Sequence, residues 1–267
     1  MSRLRISLIT PSFNHARFIG RTIDSVLSQQ GNFELDYRIL DGASTDGTLD
    51  ILRSYGERLR WVSAPDSGQV DAINRGLRSA EGDVVGWLNS DDVLKPGALQ
   101  RVATAFREHP ECEWVHGDCD VIDADDREIR RWVSAYKRWH AQRYSFQSLL
   151  RRNFISQMTV FWRRRLMDEA GVLDPDLKLA FDYEYWLRFA QRSAPLYIPH
   201  KLASFRWYET SKSGANYRRQ FIEDELIARR HGVRSPAGRF VKRLNNVLTV
   251  AIYNSLALAR KLRPDRN

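Results

Sequence analysis

Apolar and polar positions fall into alternating blocks along the first hundred residues, and each block predicts one element. Residues 5–10 (RISLIT) form a β-rich run stopped by Pro11, and 16–29 then place Phe18, Ile19, Ile23, Val26 and Leu27 at helical spacing. A second run, 37–40, closes on DGASTDGT (41–48), and Leu49, Ile51, Leu52 and Tyr55 continue as a helix capped within 44–46. Residues 60–62 predict a third strand, 64–69 a loop and 70–79 another helix. The run 84–88 (VVGWL) is apolar throughout and breaks at NSDD (89–92). Unbroken apolarity bounded by a turn marks a strand buried on both faces of a parallel sheet. Strand and helix thus alternate four times in about 90 residues, which predicts an α/β fold with a mostly parallel sheet flanked by helices.

Past residue 110 the periodicity weakens. Residues 113–116 predict a strand, 118–127 a polar turn, 154–162 (FISQMTVFW) a strand-like run, and 196–199 and 202–207 two closing strands. Residues 164–170 and 180–192 are helical, whereas 129–136 and 146–153 fit neither period. Helices at 221–230 and 238–262 finish the chain. The last has an apolar face flanked by basic residues. Its apolar run, 247–259, is too short to span a bilayer, but the helix suits either an anionic membrane surface or packing against the rest of the protein or a partner subunit.

Composition narrows the class. Hydrophobic content of 43% with 28% charged residues describes a globular chain able to bury one sizeable core. Cys112 and Cys119 match neither a disulfide framework nor a zinc signature, and no signal peptide is visible, so a reducing, cytoplasmic location is expected. The net charge of +9 favours an anionic partner: nucleic acid, acidic lipid or a phosphorylated substrate. Neither GxGxxG nor GxxxxGK[ST] occurs, so nucleotide binding cannot rest on those loops.

In open α/β sheets ligands lie beyond the carboxyl ends of the strands. Thr10 and Ser12, Asp41, and the Asp91–Asp92 pair all fall there. Adjacent carboxylates call for a cation or a proton between them, and oxygen-only ligands suit Mg²⁺ or Mn²⁺. The competing reading makes Ser90 or Asp91 the cap of a helix over 97–108. The residues alone leave both open.

The segments TPSFNHARFIGRTIDSVLSQ, DGASTDGT, DSGQVDAINRGL, GWLNSDD and FDYEYWLR, in this order over roughly residues 4–210, together resemble the family 2 glycosyltransferases. The resemblance implies a GT-A fold with a Rossmann-like sheet. It divides the chain into a transferase domain over 1–215 (nucleotide-sugar half to about 110, acceptor half beyond) and a C-terminal helical extension over 216–267. It also implies an inverting transfer from a nucleotide-diphosphate sugar, a UDP-sugar favoured, to a hydroxyl of a glycan or lipid-linked acceptor in cell-surface polysaccharide synthesis. Peripheral membrane contact would come from the last helix.

Carried over by position, Thr10, Pro11 and Ser12 fall against the base and ribose, and Asp41 is the acid that hydrogen-bonds the base. Asp66, Gly68, Gln69 and Asp71 form the loop over the nucleotide, with Asn74 and Arg75 one turn further. Asn89, Ser90 and Asp91 occupy the Asp-X-Asp position, so Asp91 becomes the ligand for Mn²⁺ or Mg²⁺, and Asp92 a supporting acid or helix cap. Asp182 matches the catalytic base, with Phe181 in place of an acidic neighbour and aromatic side chains expected to desolvate it. Tyr208 stands where many relatives carry histidine, and 209–216, with Lys212, reads as a mobile loop. Trp114, His116, Gly117, Asp118, Gln157 and Trp162 fall on the acceptor side, and His15 is given no chemistry. Two other classes stand beside this one: a catalytically degenerate glycan-binding protein, and a basic nucleic-acid-binding protein for which no fold signature is visible.

Overall fold

The computed structural model describes residues 3–233, 240 and 242–244. Among the described residues nine strands make one mixed sheet: β1 (Leu4–Ser12), β2 (Phe33–Asp41), β3 (Arg60–Ser63), β4 (Val84–Trp87), β5 (Val93–Leu94), β6 (Trp114–Ile122), β7 (Glu128–Ile129), β8 (Phe161–Arg163) and β9 (Leu196–Arg206). Their order is β3-β2-β1-β4-β8-β6-β9-β5, with β7 beside β6. The helices are α1 (Ile19–Leu27), α2 (Thr48–Ser54), α3 (Gln69–Ser79), α4 (Ala98–Glu108), α5 (Arg131–Ala141), α6 (Phe146–Arg151), α7 (Arg164–Ala170), α8 (Phe181–Ala190) and α9 (Lys212–Arg230).

β3, β2, β1 and β4 run parallel, as the sequence pattern predicts, and their side chains separate two cores. Ile6 and Leu8 of β1 point to one face, against Ile19, Ile23 and Val26 of α1; Ile9 points to the other, against Val70, Ile73 and Leu77 of α3. Gly76 lets α3 approach closely, because a Cβ there would lie 2.6 Å from Ile9 Cγ2. The second core is built around Trp87, Trp114, Trp162 and Trp186, all fully buried. Trp87 and Trp186 stack at 5.3 Å between centroids, a geometry that adds about 0.5–1.5 kcal/mol beyond area burial. Trp162 therefore belongs to the core and cannot meet an acceptor, and Trp114 joins it there.

The second half departs from its sequence pattern in four places. β6 runs on through Asp118 and Asp120, where a turn was predicted. Burial of these acids is possible because each is paired: Asp118 accepts from Arg138 Nε at 2.7 Å and Tyr197 Oη at 2.8 Å, and Asp120 lies 3.0 Å from Lys95 Nζ and 3.1 Å from Lys201 Nζ. The two predicted closing strands are one strand, β9, parallel to β6, and the apparent gap is a register shift opposite Gly117 and Asp118. The 154–162 run is buried but mostly outside the sheet: a 3₁₀ turn at Gln157–Thr159 precedes the short β8. α9 begins at Lys212, so the predicted loop shortens to 209–211, and the proposed domain limit at 215 falls inside that helix. Ile227, near its C-terminal end, enters the second core. The predicted 238–262 helix lies outside the described residues except for 240 and 242–244. Among the described residues no helix is long and apolar enough to cross a membrane.

His116 on β6 is 1% exposed, and its Nε2 has no hydrogen-bond partner among the described residues. Burial lowers its pKa from 6.5 to about 4. Below pH 6.5 the unfolded chain takes up a proton that the folded chain refuses, so stability is complete above 6.5 and falls toward 4. Urea unfolding across that interval should show His116→Gln losing less stability than the wild type, by up to about 3 kcal/mol. Parallel curves would remove His116 as the source.

Candidate active site

The carboxyl ends of β1, β2 and β4 open on one edge of the sheet, and the loops beyond them are stitched together by side-chain-to-backbone hydrogen bonds. Asn14 N donates to Ser44 Oγ at 2.8 Å, His15 N to Thr48 Oγ1 at 3.0 Å, and Ala16 N to Asp46 Oδ2 at 2.9 Å. Asp46 also accepts from Thr48 N at 3.1 Å at the start of α2, inside the predicted cap region. Asp41 ends β2 only 3% exposed; it accepts from Ser44 N at 2.9 Å, from Ser44 Oγ and, at 2.7 Å, from Ser63 Oγ.

A shallow cleft lies beside it, lined by Leu40, Asp41, Val62, Ala64, Asp66, Ala72 and Arg75. Gly68, at φ +110°, turns the chain into α3 while Asp66 Oδ1 accepts its N–H at 2.8 Å. Asp71 sits in the first turn of α3, accepting from Ser67 N at 3.1 Å and pairing with Arg75 at 2.7 Å. Ser67 N and Arg75 together hold its carboxyl below the usual range. This loop and cleft bring Asp41, Asp66, Gly68, Asp71 and Arg75 together.

Two candidates turn inward. Thr10 is fully buried with its Oγ1 3.1 Å from Tyr37 Oη, behind the cleft rather than in it. Asn74 is 3% exposed, and its amide exchanges two 2.9 Å bonds with the backbone of Leu173. It fastens the loop before α8 to α3. Pro11 is buried, and Ser12, 4% exposed, has a buried Oγ without a partner among the described residues.

After β4 the chain turns sharply through Asn89–Asp92. The helix cap over 97–108 is Gly97, so neither Ser90, Asp91 nor Asp92 has that role. Asn89 is a junction: Oδ1 accepts from Gln69 Nε2 at 2.9 Å, while Nδ2 lies 3.1 Å from both Asp92 Oδ2 and Gln157 Oε1. Its amide joins α3, the β4 loop and the 3₁₀ turn. Asp92 is fully buried, accepting from Arg206 N at 2.9 Å, and burial together with the Asp91 charge raises its pKa. Ser90 Oγ contacts His15 Nδ1, so the histidine set aside by sequence reasoning belongs to this site. Its proximity to the first strand end was the available signal.

Asp91 accepts from Tyr208 Oη at 3.0 Å, and its other carboxylate oxygen has no partner among the described residues. Burial and the Asp91 charge both raise the Tyr208 pKa, so the phenol stays a donor. Arg206, only 1% exposed, donates through Nε to Asp91 O and through Nη1 to Asp123 O, each at 2.8 Å, and pairs with Asp126. Among the described residues no three His, Cys, Asp or Glu side chains gather as a metal cage. One part-exposed carboxylate with open coordination fits a divalent ion that takes most of its ligands from a diphosphate and water, as Mg²⁺ commonly does.

Asp182 opens α8 and accepts from Tyr183 N at 2.7 Å. Tyr183, Tyr185 and Trp186 all point into the core, so they back the helix rather than enclose the carboxylate. Its charge is felt by Lys137 of α5, whose Nζ donates to Ser156 Oγ at 3.2 Å. Gln157, next to Ser156, donates to Trp87 O at 2.7 Å and meets Asn89. That path ties the α8 start to the β4 loop. Lys137 had no motif to reveal it, only its place on the inner face of α5.

The family model for glycosyl transferase family 2 matches residues 7–169. A PGL/p-HBAD biosynthesis glycosyltransferase of Mycobacterium bovis is 31% identical over 194 residues, 70% of each chain. A glycosyltransferase of Nostoc sp. is 34% identical over 130 residues, 47% of this chain and 40% of that one. The S. aureus TarS 1–349 complex with UDP-GlcNAc superposes at a TM-score of 0.66, with 17% identity over 87% of this chain and 68% of that one. Mannosyltransferase PcManGT from Pyrobaculum calidifontis, in complex with GDP-Man and Mn²⁺, reaches 0.68 with 19% identity over 98% and 77%.

Arg206→Ala would leave two backbone carbonyls and Asp126 without their buried cation, a loss of about 3–5 kcal/mol. A fall of roughly 10 °C in the thermal midpoint is expected, with Arg206→Lys between the two. An unchanged midpoint would show that the clamp contributes nothing to stability. With its sheet, its motifs and its relatives all in agreement, the chain belongs to glycosyl transferase family 2 and has the GT-A fold.

Proposed function

We propose that the protein transfers a sugar, with inversion, from a nucleotide-diphosphate sugar to an acceptor hydroxyl during glycan synthesis. The observation that carries this reading is the shared sheet edge with its acid-lined cleft and the Asp91 carboxylate, to which the start of α8 is tied through Lys137, Ser156 and Gln157. The cleft offers carboxylates at Asp41 and Asp66. A carboxylate there accepts from a base ring N–H, which uracil and guanine both present, and the choice of a UDP-sugar rests on the family resemblance. Gly68, Asp71 and Arg75 then face the ribose and phosphates.

Asp91 would hold the Mn²⁺ or Mg²⁺ ion, which when bound offsets charge building on the leaving diphosphate. Tyr208 keeps Asp91 oriented, and Arg206 holds the backbone on which it sits. Asp182 takes the proton of the attacking hydroxyl as general base. Lys137 lies close enough for its charge and that of Asp182 to interact.

Asp182→Asn is expected to lower kcat by about 10²–10⁴-fold while leaving nucleotide binding unchanged. Asp91→Ala should instead abolish the Mn²⁺-dependent part of UDP affinity, read by titration calorimetry with and without the ion. Thermal shifts with UDP, GDP and TDP, each with and without Mn²⁺, test the donor class. The largest shift should come from UDP with Mn²⁺. Normal turnover in the Asp182 variant would overturn the base assignment, and no shift with any nucleotide would overturn the donor reading.

A further inference from the structure

α5 presents an outer face that nothing in the described protein covers. Trp132, Tyr136 and Trp139 are spaced i, i+4, i+7 and are 42%, 46% and 52% exposed, so their rings form one stripe along the helix. The rings are braced from behind: His140, 4% exposed, meets Tyr136 and Trp139 edge-on at 4.7 Å and stacks on Phe154 at 5.6 Å. Arg143, exposed, lies over the Trp139 ring at 4.8 Å. Arg131 and Arg138 flank the stripe, their side chains 81% and 43% exposed; Arg131 pairs with Glu128 at 3.4 Å and Arg138 with Asp118 at 2.7 Å. Between Glu128 and Asp168 the sequence has ten Lys and Arg and no Asp or Glu, enough to account for the whole net charge of +9.

We infer that α5 docks the protein on an acidic lipid surface. Tryptophan and tyrosine favour the boundary between headgroups and acyl chains, where an apolar ring body and a polar edge are both accommodated. Exposed arginines beside them meet anionic headgroups. Single-stranded nucleic acid also uses aromatic and basic side chains, but it needs open ring faces along a groove. Here the stripe is convex, its rings are buttressed edge-on, and the face of Trp139 is taken by Arg143. The inner face of the same helix carries Lys137, beside Ser156 and within the field of Asp182. Docking the outer face would therefore bring the acceptor side of the site to a lipid-linked acceptor, a step that rests on the transferase reading; the binding itself does not.

The test is co-sedimentation of the full chain with phosphatidylcholine vesicles, alone or with about one-third phosphatidylglycerol, at low salt and at about 0.15 M. The wild type should pellet with the acidic vesicles and not with the neutral ones. Trp132→Ala/Trp139→Ala should weaken that binding about tenfold or more, and Arg143→Glu should weaken it with its thermal midpoint unchanged. Unaltered binding in both variants would overturn the inference. So would self-association that the double variant abolishes, or stronger retention on a single-stranded oligonucleotide than on acidic vesicles. Vesicle binding is read without turnover, so its failure leaves the transferase reading standing.

Discussion

A buried guanidinium holds this molecule's working edge together. Arg206, at the end of β9, is 1% exposed and donates to the backbone carbonyls of Asp91 and Asp123 while pairing with Asp126. Its own N–H donates to Asp92. Two adjacent acids on a tight turn repel one another, and here the repulsion is managed by division of labour. Asp92 is sealed in and satisfied by protein donors, whereas Asp91 remains at the surface with coordination to spare. A charged clamp of this kind does little for net stability compared with an apolar core, but it fixes which carboxylate faces the ligand.

Neutral amides do the rest of the positioning. Asn89 has lost the charge usual at its position and acquired three partners, so it braces the loop. Tyr208 is likewise a hydrogen-bond donor to Asp91 rather than a ligand. Both side chains thus brace the 89–92 turn through hydrogen bonds.

The first half of the fold was legible because its physics is one-dimensional. β4 is an apolar run ended by turn residues, β1 and β2 are β-rich segments closed by turns, and α1 and α3 repeat with the helical period. The second half was not, because its strands bury charge. Asp118 and Asp120 read as a turn until their partners, Arg138, Tyr197, Lys95 and Lys201, are seen across the sheet. The site was legible by position but not by orientation. Asp41, Asp66, Asp71 and Asp91 fall at the expected edge, while Thr10 and Asn74 belong to the right segments and face inward. Sequence gives the segment; only packing decides which way a side chain turns. His15 and Lys137 stayed hidden for the same reason.

The link between residues 92 and 206 has a consequence for how the protein is made. β5 pairs with β9, and the Asp92 carboxylate is bonded to the Arg206 N–H across 114 residues of chain. The region matched by the family model ends at residue 169, before β9 exists. On a ribosome, the parallel half would therefore be synthesised well before its acidic loop could close, leaving Asp91 and Asp92 solvated until the last strand arrives. Non-local pairing of this kind is slow to form. A nascent chain interrupted after the motifs would have the residues of the site without its shape.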